Sequence, residues 1–210
     1  MEKSVRTVFA PCEREKIIEK SRFITYVTHV ETEEDARAFI AEIRKQHTLA
    51  THVCYAFIAD KAGNLQRFSD DGEPQGTAGV PILEVLKNKK LFETAVAVVR
   101  YFGGVKLGAG GLVRAYSSSA AECLDGADIR VLEVCVEYEI TVDYTGIDSV
   151  QKYLSTRACN VIATEYNENV RFLVAIKKTE ESAFIDGIVD YMQGKVQTER
   201  GKEYYAPFKE

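Results

Sequence analysis

Proline, methionine and histidine are scarce in this sequence, at four, two and three residues. With so few prolines and no serine-rich stretch, no flexible linker separates its parts. No apolar run approaches the ~18 residues a membrane-spanning helix needs. The N-terminal MEKSVRTVFAPCEREK mixes charges and has no apolar core, so no signal peptide is expected. The five cysteines are odd in number, widely spaced and free of CxxC or Cys/His zinc patterns. A cytoplasmic chain with reduced thiols is the expectation. His29 and His47 lie in no motif. The net charge of -5 disfavours wholesale electrostatic capture by nucleic acid or anionic lipid, so such contact needs a local basic patch. No membrane partner is expected, and nothing calls for a cofactor.

What is present is a chain of 210 residues, enough for two ordinary domains. Strands are expected over Phe23–Val30, Thr51–Ala59, Leu65–Ser69 and Phe92–Tyr101. The last is buried on both faces by its composition. A helix over Glu31–Gln46 takes Thr32 as N-cap and faces inward through Ala36, Phe39, Ile40 and Ile43. Pro81 suits the first turn of a second helix, and a third runs from about Gly110 to a stop at Gly126. Beyond Glu133 the order changes to βαββαβ, a ferredoxin-like arrangement. It includes a hairpin across Asn167–Asn169, helix caps at Thr145 and Thr179, inward Phe184, Ile188 and Tyr191, and a last strand over Val196–Arg200. The fold class is therefore α+β, with a boundary near Leu132–Val136 and domains at 1–133 and 134–210.

The stretch VVRYFGGVKLGAGGLVRAY, residues 98–116, places five glycines within the nine residues 103–111. Glycine loses much conformational entropy on folding, so this number implies sharp turns or a close approach. A glycine-rich turn opening a helix offers free amides and a positive dipole end to an anion. The named fingerprints fail. Leu112 follows where a Walker A loop needs Lys-Ser/Thr, and a GxGxxG started at Gly108 would need glycine at Val113.

No acidic residue falls between Glu93 and Glu122, while Arg100, Lys106 and Arg114 lie in that span and Lys87, Lys89 and Lys90 just before it. Tyr101, Phe102 and Tyr116 stand among these cations. Cations interleaved with aromatics suit a phosphodiester strand with stacking bases. The opposing reading puts Tyr101 and Phe102 in the core and sets Arg100 against a buried carboxylate.

The loop SDDGEPQGTAG, residues 69–79, also has two readings. Asp71-Gly72 followed by Pro74 is ordinary turn chemistry. Alternatively Asp70, Asp71 and Glu73 hold Mg²⁺ or serve as general base for an enzyme acting on a small phosphorylated or carboxylated ligand. His52 and Cys54 share a strand face, but neighbours so placed make a poor nucleophile–base pair, and Cys54 reads as core. Ser117, Ser118 and Ser119 lack a nucleophile elbow.

KSRFIT at 20–25, THVCYAF at 51–57, FSDDGEPQGTAGVPIL at 68–83 and the glycine-rich stretch resemble the IMPACT/YigZ family. The resemblance covers nearly the whole chain and points to its bacterial two-domain branch. It implies an N-terminal two-layer α/β domain like that of a small-subunit ribosomal protein, domain IV of elongation factor G and the GHMP kinases. It implies a second domain like the ferredoxin-like domains of elongation factor G. Eukaryotic relatives modulate translation by restraining a kinase of an initiation factor. For bacterial members, nucleic-acid or ribosome binding is an inference from fold.

Carried onto this sequence, the family's glycine-rich surface comprises Arg100, Tyr101, Phe102, Gly103, Gly104, Lys106, Gly108, Gly110, Gly111 and Arg114. The adjoining loop comprises Asp70, Asp71, Gly72, Glu73, Pro74, Gln75, Gly76 and Thr77. The leading expectation is a non-catalytic, translation-related regulator that binds RNA, the ribosome or a protein partner through the glycine loop. No catalytic residue is assigned. The enzyme is its rival, and a proline-dipeptidase role finds no recognisable metal-ligand set.

Overall fold

The structure, a computed structural model, describes residues 4–208. Two compact units divide the chain, one over Val5–Val131 and one beginning at Leu132.

The first unit runs β1 (Val5–Val8), β2 (Cys12–Ile18), β3 (Ser21–His29), α1 (Glu33–Gln46), β4 (His52–Ile58), β5 (Gln66–Ser69), α2 (Gly79–Asn88), β6 (Thr94–Tyr101) and α3 (Gly108–Asp125). Five of its strands form a sheet in the order β2-β3-β6-β4-β5, every pair antiparallel. β6 is central, and its TAVAVVRY sequence suits a strand covered on both faces. Val96 and Val98 meet Ile82, Leu86, Leu112, Tyr116 and Ala120 of α2 and α3. Ala95, Ala97 and Val99 point the other way, toward Ala36, Ile40 and Ile43 of α1.

α1 begins as its sequence predicts. The Thr32 hydroxyl accepts from the Asp35 amide, and the Asp35 carboxylate accepts from the Thr32 amide. Glu33, Glu34 and Asp35 occupy the first turn and Arg44 and Lys45 the last, complementing the helix dipole. α3 stops at Gly126, as expected.

β1 and β2 have no counterpart in the sequence reading. β2, CEREKII, is an edge strand whose Glu13, Arg14 and Glu15 are solvent-exposed, so it lacks the apolar alternation that marks a half-buried strand.

The second unit contains β7 (Ile129–Val142, which starts in the first unit), α4 (Ile147–Ser155), β8 (Cys159–Tyr166), β9 (Val170–Lys177), α5 (Glu181–Tyr191) and β10 (Gln197–Phe208). The order is βαββαβ. In its sheet β9 pairs antiparallel with β7 on one side and β8 on the other, and β10 also pairs with β7. Val150, Tyr153, Leu154, Phe184 and Ile188 pack the helices on Ile140, Phe172, Val174 and Ile176.

Several details here differ from expectation. Asp143, not Thr145, supplies the cap of the one-turn 3₁₀ helix leading into α4, accepting from the Gly146 amide at 3.0 Å. Thr179 lies inside a short 3₁₀ turn, and α5 has no side-chain cap. Tyr191 is exposed, at the last position of α5. β10 pairs with β7 and continues to Phe208, beyond the expected end at Arg200.

Candidate functional site

The β2–β3 turn, the start of β4, the 69–79 loop, the end of β6 and the glycine loop meet at one end of the first unit's sheet. What joins them is a buried polar chain centred on Arg100 and Glu73. Arg100 Nη1 donates to Glu73 Oε1 at 2.6 Å, and the Tyr116 hydroxyl donates to the same oxygen at 2.7 Å. Glu73 Oε2 lies 3.9 Å from His52 Nε2. Arg100 Nη2 reaches Ser21 Oγ at 3.3 Å, and that hydroxyl also receives the Gly103 amide at 3.2 Å.

Arg100 is only 5% exposed, which corrects its assignment as a surface phosphate contact. Removed from water, a guanidinium requires a carboxylate, and Glu73 supplies it. The role left to Arg100 is positioning: it ties three loops together and lies 5.5 Å from the Phe102 ring centroid.

The acidic loop is likewise occupied by its own fold. Asp70 accepts from the amides of Ala78 and Gly79 on one oxygen and from Gly76 on the other. It thereby caps α2, whose adjacent Ala78 cannot. Burial pushes the Asp70 carboxyl up, but the amide bonds from Gly76, Gly79 and Ala78 outweigh it and hold the pKa below the ordinary value. Asp71 accepts from the Val53 amide at 2.7 Å and pairs with Arg44 at 2.6 Å. Glu73 is consumed by Arg100 and Tyr116. Among the described residues no group of three His, Cys, Asp or Glu side chains has the spacing to hold a metal ion. Thr77 is buried and bonds to Pro74 O, whereas Gln75 is exposed.

Cys54 donates to Asp70 O, and burial pushes its thiol up to about 12, so it is no thiolate nucleophile. Burial first, then Cys54 and Glu73, push the Tyr116 hydroxyl far above its ordinary value, so it stays a donor.

The glycines divide by physical role. A Cβ on Gly103 would lie 2.0 Å from the Lys20 carbonyl, so the loop can cross the β2–β3 turn only with glycine there. Gly104 and Gly108 have φ of +85° and +68° and make the turn into α3. Gly111 sits against the Leu107 Cβ. Gly110 has a helical position, ordinary φ and nothing within 4 Å of a built Cβ. Among the described residues, the amides of Gly104, Val105, Lys106 and Leu107 meet no backbone acceptor.

α3 opens with no side-chain cap and no acid in its first turn. Lys106 and Arg114 are exposed and, among the described residues, enter no ion pair. Together with Lys16, Ile18, Glu19, Leu107, Gly111 and Ser118 they line an open groove of some 560 Å³. Lys16 is already paired to Glu122. Phe102 is 47% exposed, whereas Tyr101 is half-buried and bonded to His47 Nδ1 at 2.8 Å. The exposed members of the expected surface are thus Phe102, Gly104, Lys106, Gly108, Gly110 and Arg114. Lys16 and the turn residue Glu19 escaped the sequence reading, for both lie just outside the KSRFIT stretch at 20–25.

Fold and site together define an antiparallel α+β domain with a glycine-opened basic helix, followed by a ferredoxin-like domain. Residues 19–124 match the Impact N-terminal domain, and residues 140–195 match a domain of unknown function, DUF1949. IMPACT family member YvyE of Bacillus subtilis is 40% identical over 199 residues, covering 95% of this chain and 92% of that protein. IMPACT family member YigZ of Escherichia coli is 35% identical, covering 86% and 89%. A crystal structure of a hypothetical protein superposes with a TM-score of 0.62 at 32% identity, covering 94% of this chain and 97% of that one. The chain belongs to the IMPACT family. No helix among the described residues is long and apolar enough to cross a membrane.

Proposed function

We propose that this protein is a translation-related regulator whose first unit binds RNA at the N-terminus of α3. The supporting observation is that Lys106 and Arg114 stand exposed and unpaired at a groove beside an uncapped helix start. Unsatisfied amides and the dipole favour phosphate there. Phe102 offers an exposed ring for an unpaired base, held from below by Arg100. Family membership supports the connection with translation. The carboxylates that an Mg²⁺-dependent enzyme would need are already engaged in internal bonds, so the geometry favours binding over catalysis.

The test is filter binding of single-stranded RNA across a salt series, comparing wild type with Lys106→Ala/Arg114→Ala. Loss of two phosphate contacts makes the slope of log K against log salt shallower by about 1–2. Phe102→Ala weakens binding by about 1–3 kcal/mol with the slope unchanged. A wild-type protein without affinity for RNA at low salt refutes the reading.

A further inference from the structure

Two of the five cysteines meet across the fold. Cys12 begins β2, and Cys123 lies near the end of α3, 111 residues later. Their sulfurs are 3.6 Å apart. The Cys123 thiol donates toward Cys12 Sγ and Thr25 O, and the Cys12 thiol toward Cys123 O. Cys123 is fully buried, whereas Cys12 is partly exposed. The other three cysteines are bonded to carbonyls of Asp70, Glu133 and Leu154.

We propose that Cys12 and Cys123 form a redox-active dithiol, an oxidation site that closes to a disulfide under hydrogen peroxide. A disulfide needs sulfurs about 2.05 Å apart, so the pair must close by about 1.6 Å, within reach of side-chain rotation. The roles are asymmetric. Cys12, the accessible sulfur, attacks peroxide as thiolate. The O–O bond breaks, one oxygen stays on Cys12 as sulfenic acid, and the other leaves as water. Cys123 sulfur then attacks Cys12 sulfur. The S–S bond forms, the S–O bond breaks, and hydroxide takes the Cys123 proton as a second water. Two thiols lose two electrons, and one peroxide becomes two waters. Burial, with the Cys12 thiol next, pushes the Cys123 thiol up to about 12, which fits a resolving partner rather than the first nucleophile.

The surroundings indicate what the bond would do. β2 is an edge strand, and its polar hold on α3 includes Lys16 to Glu122 and Ser118, Arg14 to Glu122 O and this thiol contact. A covalent link would staple the edge strand to α3, the two elements that also wall the groove. It would close a long loop, the case in which cross-linking constrains the unfolded chain most. The proposal is independent of what the groove binds.

The experiment treats reduced full-length protein with hydrogen peroxide, then maps non-reduced peptides by mass spectrometry and counts thiols after denaturation. Expected are a Cys12–Cys123 linked peptide, loss of two of the five thiols, and their return with dithiothreitol. Cys12→Ser and Cys123→Ala, each alone, abolish the linked peptide. Oxidation raises the thermal midpoint of wild type by about 10 °C or more and leaves that of Cys12→Ser unmoved. Cys12→Ser changes a partly exposed residue, so it keeps the test open if Cys123→Ala folds poorly. Retention of all five thiols, pairing with another cysteine, or sulfinic acid on Cys12 in place of the link overturns the proposal.

Discussion

Arg100 and Glu73 form an ion pair of 2.6 Å with both side chains almost sealed from solvent. Twenty-seven residues apart in sequence, they hold β6 against the 69–79 loop. The Tyr116 hydroxyl completes the carboxylate's coordination from α3. A buried pair of this kind is weak evidence for stability, yet removing one partner strands the other charge.

Arg100→Met alone or Glu73→Leu alone is therefore expected to destabilise the protein by about 3–5 kcal/mol. Combining both with Tyr116→Phe removes the three groups that bond one another, leaves no buried charge unpaired there, and recovers most of that loss. Urea unfolding measures all three. If the triple variant is as weak as the singles, packing and not charge desolvation governs this centre.

Two glycines only seven residues apart are expected to respond in opposite senses. Gly103→Ala drives a methyl into the Lys20 backbone, which has no flexible end to give way. It disrupts the loop or prevents folding. Gly110→Ala meets open space in a helical position, so it stabilises α3 by about 0.5–1 kcal/mol. Thermal unfolding and filter binding should be read together. A Gly110→Ala protein that is more stable but binds RNA less well places the ligand against that bare backbone. Unchanged binding moves the contact elsewhere.

Asp70 sets an acid-sensitive cap on α2. Its folded pKa is depressed, so its stabilisation is complete above the unfolded value near about pH 4 and is lost as the pH falls through the folded value. Asp70→Ala removes the cap and is expected to cost about 1–2 kcal/mol near neutral pH. The difference between wild type and variant should shrink as acid is added below that point. A difference constant down to strongly acidic pH shows that packing, not the charged cap, carries the effect.

Local signals were legible where one segment contained its own explanation. Thr32 with the apolar spacing of Ala36, Phe39, Ile40 and Ile43 announced α1, the β-branched run ending at Tyr101 announced a strand covered on both faces, and Gly126 ended α3. β2 stayed hidden because an edge strand tolerates charge along its length, and CEREKII looks like a solvated segment. The cations of the basic stretch divide for a similar reason. A local count of cations cannot tell Lys106, which faces solvent, from Arg100, whose carboxylate partner arrives from a distant loop. Cys12 and Cys123 likewise become neighbours only through packing of α3 on the sheet.

The second unit offers a test of packing by a single atom. Gly187, in α5, faces Tyr153 of α4, and a Cβ built on it would lie 2.5 Å from the phenol oxygen. That hydroxyl donates to Phe184 O at 3.0 Å and is held in place by the bond. The next nearest ring atom is 3.5 Å away, an ordinary contact. Gly187→Ala is thus expected to destabilise the protein by about 1–3 kcal/mol through overpacking. Tyr153→Phe alone costs about 1 kcal/mol for the lost hydrogen bond. In the Tyr153→Phe background the clash is gone, and Gly187→Ala should become neutral or stabilising because alanine is the better helix former. A double-mutant cycle by chemical denaturation reads the coupling directly. Additive effects would mean that α4 and α5 yield around the methyl, and that the phenol oxygen does not set their separation.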